Sequence, residues 1–304
     1  MKGSLILSGA LGVLAAAQSD IALSSSLQYI LANTNYTYPT ALTRGIVPKA
    51  LHSHNDYWRD VPFYSALAAG AVSVEADVWL YNGTLYIGHE QSALTDARTF
   101  NSLYIQPILD VLHRQNPPTR FVSGPTKNGV FDTSSGQTLY LFVDVKTPGP
   151  TTWPAVVKAL EPLRNASYLT TFNGTGVTPG PVTVIGTGNT PLDQVQPVQQ
   201  RDYFWDAQIP ALTTSQANIT RNVSPIASTG FAAVFGQVRN QTLNATQLST
   251  LRSQVATAHA RGIQVRYWDQ PGWPVSTRNA IWRTLWDEGV DLLNVDDLQA
   301  AANF

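Results

Sequence analysis

A single closed (β/α)8, or TIM, barrel of the α/β class is the fold this sequence predicts, and three observations predict it. Short apolar runs alternate along the chain with helical stretches, the pattern of a parallel sheet with crossover helices. About eight such runs occur, the number at which a parallel sheet closes on itself. The chain of 304 residues, less a leader, has the length of one such barrel, and neither an internal repeat nor a linker divides it.

Residues 1–17 read as a secretory signal: Lys2, then LILSGALGVLAAA, ending in small residues at Ala15, Ala16 and Ala17. That run is too short to span a bilayer, and no later one is long enough, so no transmembrane anchor is expected. A mitochondrial presequence is Arg-rich, whereas the first arginine here is Arg44. The expected location is therefore extracellular. Residues 18–44 form a polar N-terminal extension with a short helix expected near 22–32, and the barrel domain occupies 45–304.

The first strand is expected over 47–54, and a short helix from Asp60 through Ala69 is closed by Gly70. The second strand, 72–80, turns through Tyr81-Asn82-Gly83-Thr84 into a hairpin partner at 85–88. Apolar spacing at Leu103, Ile108, Leu109, Val111 and Leu112 predicts a helix over 100–115, stopped by Pro117 and Pro118. The Pro/Gly/Ser/Thr-rich stretch 117–137 is too long for an ordinary connection and predicts an active-site loop or lid. Further strands are expected at 139–145, 168–172, 182–185, 203–209, 231–235, 263–268 and 292–295, with helices over 153–164 and 277–288.

Residues 51–90 hold three of the five histidines and the pair Glu75 and Asp77. Side chains alternate along a strand, so Glu75 and Asp77 share one face while Val74, Ala76 and Val78 share the other. Two carboxylates on one face of a buried strand need a cation or donors to offset their desolvation. With His54 before them and His89 after them, they make the parts of a metal-assisted acid/base site. Asp144 and Lys146 form a second charged pair on a buried strand. Asp206, Asp269 and Asp297 read as helix caps or turn residues, and His113 and His259 as ordinary helical positions.

Charged residues are only 13% of the chain and the net charge is −1, so neither nucleic acid nor an anionic membrane is expected as an electrostatic partner. Cysteine is absent, which excludes disulfides, a thiol nucleophile and zinc–thiolate sites. Eight Asn-x-Ser/Thr sequons, at Asn35, Asn82, Asn165, Asn173, Asn218, Asn222, Asn240 and Asn244, predict a glycoprotein. A monomer is expected.

His54-Asn55-Asp56-Tyr57, Val74-Glu75-Ala76-Asp77-Val78, Gly88-His89 and Val143-Asp144-Val145-Lys146 together resemble the phospholipase C-like phosphodiesterase superfamily. The resemblance is nearest to the altered inheritance of mitochondria protein 6 family. Glycerophosphodiester phosphodiesterases and sphingomyelinase D-like phospholipases are more distant. The likeness implies a phosphodiesterase-type barrel with His54 and His89 as acid/base pair. It implies one Mg²⁺, with Ca²⁺ or Mn²⁺ as alternatives, on Glu75, Asp77 and Asp144. Lys146 would contact phosphate or orient the ligands, and Asn55, Asp56, Trp268 and Asp296 would line the substrate pocket. The His-Arg-Gly and Glu-Asn-Thr segments of glycerophosphodiesterases are missing, so Arg59 or Lys127 would have to replace the lost arginine.

The implied activity is that of a secreted phosphoric diester hydrolase acting on a small phosphodiester, a lysophospholipid or a glycerophosphodiester. A lyase forming a cyclic phosphate by attack of the substrate's own hydroxyl is the close alternative. A glycoside hydrolase, suggested by eight tryptophans, would need two carboxylates opposed across a cleft rather than neighbours on one strand. A non-catalytic barrel binding lipid or glycan would not need the full set of reactive side chains.

Overall fold

Eight parallel strands close into a barrel in the computed structural model, which describes residues 42–238 and 241–304. The signal segment, the helix expected near 22–32, and sequons Asn35 and Asn240 lie outside the described residues. In chain order the barrel strands are β1 (Lys49–Ser53), β2 (Ala71–Tyr81), β4 (Leu139–Val145), β7 (Val182–Gly188), β8 with β9 (Phe204–Trp205 and Ala207–Gln208), β10 (Ile226–Gly230), β11 (Gln264–Trp268) and β12 (Leu292–Val295). Each pairs with its sequence neighbour, and β12 returns to pair β1 through Leu51↔Leu293 and His52↔Asn294. The break at Asp206 does not open the barrel. β8 pairs β7 at Ile185↔Phe204 and β9 pairs β10 at Ala227↔Ala207, so one strand interrupted by a single residue joins the two sides.

Strand alternation separates two environments. Outward residues such as Val74, Ala76, Val78, Leu141 and Val143 are fully buried under the surrounding helices. Inward residues are more polar than the branched aliphatic layers usual in such barrels. His52, Ser73, Glu75, Asp77, Ser228, Arg266 and Asn294 are all buried there. The register brings them together: His52 lies opposite Ser73 and Asn294, Asp77 opposite Asp144, and Ser228 opposite Arg266.

β2 overshoots the barrel and pairs antiparallel with β3 (Thr84–Ile87), the expected hairpin. α1 (Tyr64–Ala69) follows β1 and ends at Gly70, φ 84°, where a Cβ would lie 2.3 Å from the Val47 carbonyl oxygen. A π-helical turn (Asn101–Ile105) leads into α2 (Gln106–Gln115). The helix expected over 153–164 is two: α3 (Gly149–Ala159) and α4 (Glu161–Asn165).

Two expectations are corrected and one is shortened. The run Phe231–Phe235 is a helix, α5, and the barrel strand is Ile226–Gly230 just before it. The strand expected over 168–172 is present as the shorter Thr171–Phe172 (β5), which pairs antiparallel with Val177–Thr178 (β6) in a separate two-stranded sheet, while the run from Val182 is the barrel strand, as expected. The stretch 117–137 is no active-site lid. It runs from the end of α2 to the start of β4, at the amino-terminal end of the barrel. There Asn128 N–H donates to Asn116 Oδ1 (2.7 Å), Asp132 N–H to Thr43 Oγ1 (2.9 Å) and Thr133 Oγ1 to the Ile46 carbonyl (2.7 Å). Lys127 is exposed on this stretch, at the wrong end to meet a phosphate.

The remaining elements complete the ring: α6 (Ala245–His259), begun by a capping box between Asn244 and Gln247, then α7 (Val275–Asp287) and α8 (Leu298–Ala302). Asp297 caps α8 by accepting from the Ala300 N–H (3.0 Å). Because Leu141 is wholly buried on the helix-facing side of β4, Leu141→Ala is expected to cost about 2–5 kcal/mol in urea unfolding. A loss below about 1 kcal/mol would contradict this placement.

Candidate active site

Three carboxylates meet at the carboxyl ends of β2 and β4. One oxygen from each of Glu75, Asp77 and Asp144 lies within 4.8 Å of the others. Asp77 and Asp144 are register partners on adjacent strands, and Glu75 is two residues back on the same face. This is the end of a barrel where strand-borne groups become accessible to substrate.

The surroundings set their charge. Burial raises Asp77, and the charges of Glu75 and Asp144 add to it, so its carboxyl is pushed up to about 7 against the pull of Lys146. Burial likewise raises Asp144, opposed chiefly by Lys146. The Lys146 ammonium lies 2.7 Å from Asp144 Oδ2 and 3.0 Å from Asp77 Oδ2, placing the expected lysine between two of the acids. Glu75 behaves oppositely. Burial pushes its carboxyl up, but the positive charges of His54 and Arg266 more than reverse this and hold it below the usual range. The backbone N–H of Asn55 also donates to Glu75 Oε2 (3.2 Å).

Below Glu75 the barrel interior is a wired polar layer. The Arg266 guanidinium donates to His52 Nε2 (2.7 Å), to Asn294 Oδ1 (3.0 Å) and to Ser228 Oγ (3.0 Å), and stacks 4.5 Å over the Phe142 ring. With Nε2 accepting from Arg266, His52 donates from Nδ1 to Ser73 Oγ (2.7 Å). Burial and the Arg266 charge push this imidazole down to about 3, so it is neutral. Asp206, expected as a helix cap, is instead buried at the break in the fifth barrel strand. Its Oδ2 accepts from Thr187 Oγ1 (3.0 Å) and lies 3.8 Å from Arg266. Burial is the main reason its carboxyl rises to about 6.

The two expected histidines stand on either side of the acids. His54 Nε2 lies 3.8 Å from Glu75 Oε2, and His54 Nδ1 lies 2.7 Å from Asp296 Oδ1. Burial works against the imidazolium, but Asp296 and Glu75 outweigh it and raise His54 above its ordinary value. His89 Nδ1 is 3.6 Å from Asp77 Oδ2 and 3.0 Å from the Tyr57 hydroxyl. Tyr57 is the residue sequence reasoning passed over. Its hydroxyl is also 2.7 Å from Asp77 Oδ2 and 2.5 Å from Asn55 Oδ1, so it ties the first loop to both acid and histidine.

Asn55 joins the cluster in a left-handed conformation, φ 48°. Asp56 does not reach the pocket. It is fully buried, with Oδ1 accepting from Ser53 Oγ (2.7 Å) and Oδ2 from the Phe63 N–H (2.6 Å) beside the Tyr104 hydroxyl (3.1 Å). It braces the loop and is not a substrate contact. Arg59 donates to the carbonyls of Asp296 (2.6 Å), His54 and Val295 (both 3.3 Å), clamping the loop after β1 to the end of β12. Trp268 is half-exposed at the end of β11, on the rim. Trp58 packs against His89 at a tilt of 55°, with ring centroids 5.0 Å apart. A pocket of about 380 Å³ opens there, lined among others by Tyr57, Trp58, Arg59, His89 and Arg98. His113 and His259 lie elsewhere, beside Tyr168 and Asp291 respectively.

The donor set suits a hard divalent cation: three carboxylates converge, and Asp77 Oδ1 is buried without a hydrogen-bond partner. Residues 40–206 match the AIM6-like phosphodiesterase domain. The "Altered inheritance of mitochondria protein 6 homolog" of Arthroderma benhamiae is 54% identical over the whole of both chains. The "Altered inheritance of mitochondria protein 6" of Eremothecium gossypii is 37% identical over 86% of this chain and 71% of that protein. Among solved structures, the phosphatidylinositol-specific phospholipase C from Listeria monocytogenes aligns with a TM-score of 0.43 and 10% identity, covering 91% of this chain and 96% of that one.

The His54–Asp296 pair makes a pH prediction. The raised value means that the stabilising contribution of His54 is fully present below pH 6.5 and is lost as pH rises through the higher folded value. In metal-free protein, the His54 ring protons followed by NMR should titrate above 6.5, and Asp296→Asn should lower that midpoint. An unmoved midpoint would contradict the pairing.

Proposed function

The chain belongs to the AIM6-like phosphodiesterase family, and from that premise we propose that it is a secreted, Mg²⁺-dependent phosphoric diester hydrolase using two histidines on a phospholipid-derived or glycerophosphodiester substrate. The observation that carries this reading is the buried Glu75, Asp77 and Asp144 cluster, within 4.8 Å and flanked by His54 and His89. Glu75, Asp77 and Asp144 would hold the ion, which when bound polarises the phosphoryl oxygens and neutralises charge developing on them.

The chain's own residues supply the proton transfers. His54 is held toward its protonated form by Asp296 and Glu75, which suits it to protonate the oxygen that leaves phosphorus. If Tyr57 donates its hydroxyl proton to Asp77 (2.7 Å), its oxygen accepts from His89 Nδ1–H (3.0 Å). That tautomer leaves His89 Nε2 as the base for the attacking water. Water attacks phosphorus as the ester P–O bond breaks; His89 gains one proton and His54 gives one up. Lys146 keeps a positive charge beside the acids, and burial excludes competing water from them.

The pocket beside His89 and the exposed Trp58, Trp268 and Trp273 rings suit a substrate with a polar head and an apolar remainder. Secretion rests on the sequence of residues 1–17 together with the sequons. Of the eight, Asn82, Asn165, Asn173, Asn218 and Asn244 are exposed and Asn222 is half-buried.

Two measurements test this reading. Calorimetric titration of Mg²⁺ into metal-free protein should show one site, weakened at least tenfold by Glu75→Gln; equal affinity would remove Glu75 from the ligand set. With a chromogenic phosphodiester, His54→Ala and His89→Ala should each lower kcat about 10²–10⁴-fold while the protein stays folded. Near-normal turnover in either variant would exclude that histidine as acid or base.

A further inference from the structure

The hairpin between Asp77 and His89 ends in a two-residue turn whose geometry singles out one sequon. Asn82 and Gly83 both have positive φ, 50° and 80°, the type I′ pattern that matches the twist of antiparallel strands. Tyr81 and Thr84 are therefore directly opposed across the turn, with both side chains on one face and within reach of one another. The same four residues contain the acceptor triplet Asn82-Gly83-Thr84. Asn82 is exposed at the tip, and Tyr81 is 36% exposed in an otherwise solvent-facing position. Among the described residues its ring stacks on no other ring and its hydroxyl has no hydrogen-bond partner.

A hexopyranose presents a face of C–H groups that packs on an aromatic ring and excludes water from both. A sugar on Asn82 Nδ2 would start between Tyr81 and Thr84, over an uncovered aromatic face. The chain contains a near-duplicate that lacks this feature. Phe172-Asn173-Gly174-Thr175 has the same order of residue types. There the Phe172 ring is only 9% exposed, the Arg201 guanidinium lies 4.2 Å over it, and Asn173 Oδ1 is engaged by Thr175 and Gly176 N–H groups. Its aromatic face is already taken.

We propose that Asn82 carries an N-linked glycan whose first N-acetylglucosamine packs across Tyr81 and Thr84 and clamps the β2–β3 hairpin. This rests on the secretion reading and adds to it a site and a role. β2 carries Asp77 and β3 leads into His89, so the clamp stiffens the element that spaces acid from histidine.

The test uses the full chain made in two hosts. One is a fungal secretion host, its glycans trimmed enzymatically to single N-acetylglucosamines; the other is a bacterial host that adds none. Peptide mass spectrometry should find Asn82 modified in the first. The trimmed protein should melt about 2 °C higher than the bacterial one. That gain should disappear in Tyr81→Ala made both ways and persist in Asn173→Gln. Secreted protein with Asn82 unmodified, or a gain that survives Tyr81→Ala, would overturn the proposal. A chain retained in the cell without sugar would overturn it together with the secretion reading. Hydrolysis by the bacterial protein reports on the enzymatic reading separately.

Discussion

Three carboxylates held within 4.8 Å of one another at the mouth of a barrel are the constraint on which the rest of the site depends. Like charges that close, removed from water, repel strongly and are retained only where the surroundings offset them. Lys146 offsets Asp77 and Asp144 from the side. Arg266 does so from beneath, acting on Glu75 through the barrel interior. The imbalance left over is what a divalent cation would satisfy, and it is visible in Asp77, whose carboxyl rises to about 7 and whose Oδ1 has no partner.

The scaffold around the acids fixes where the histidines stand. Asp56 is spent wholly on shaping the loop after β1, through Ser53, Phe63 and Tyr104. Tyr104 also reaches the Glu75 carbonyl (2.9 Å), so that loop and acid-bearing strand are positioned by one hydroxyl. Arg59 ties the loop to the end of β12, where Asp296 holds His54. Tyr57 then bridges to Asp77 and His89. Each histidine is thus oriented by a group from another segment of the chain, the arrangement general acid/base chemistry needs to keep its geometry through turnover.

Much of this was legible in the sequence because period two is a strict rule. Glu75 and Asp77 on one face, and Asp144 with Lys146 on a buried run, could be placed together from alternation alone. Arg266 sits inside an equally apolar strand, and the same reasoning applied there would have found it. The strand Ile226–Gly230 was unreadable for a different reason. Two of its three inward positions are small, Ser228 and Gly230, and these lie opposite Arg266 and Trp268 across the sheet. A Cβ on Gly230 would come 3.3 Å from the Trp268 ring. Small residues chosen to make room carry no apolar signal, so the neighbouring helix Phe231–Phe235 took the strand's place. The length of the stretch 117–137 suggests a lid, but a helix-to-strand connection in such a barrel returns to the amino-terminal end, away from the chemistry.

The most direct test of a carboxylate-held metal phosphodiesterase is phosphorus NMR of the protein with lysophosphatidylcholine, sphingomyelin and glycerophosphocholine, in Mg²⁺ and again in EDTA. The account predicts a new phosphorus resonance from at least one substrate that appears with Mg²⁺ and is abolished by EDTA. Its shift would distinguish a monoester from a cyclic phosphate. Turnover that persists undiminished in EDTA, or protein that binds no Mg²⁺ and converts none of the three, would contradict it.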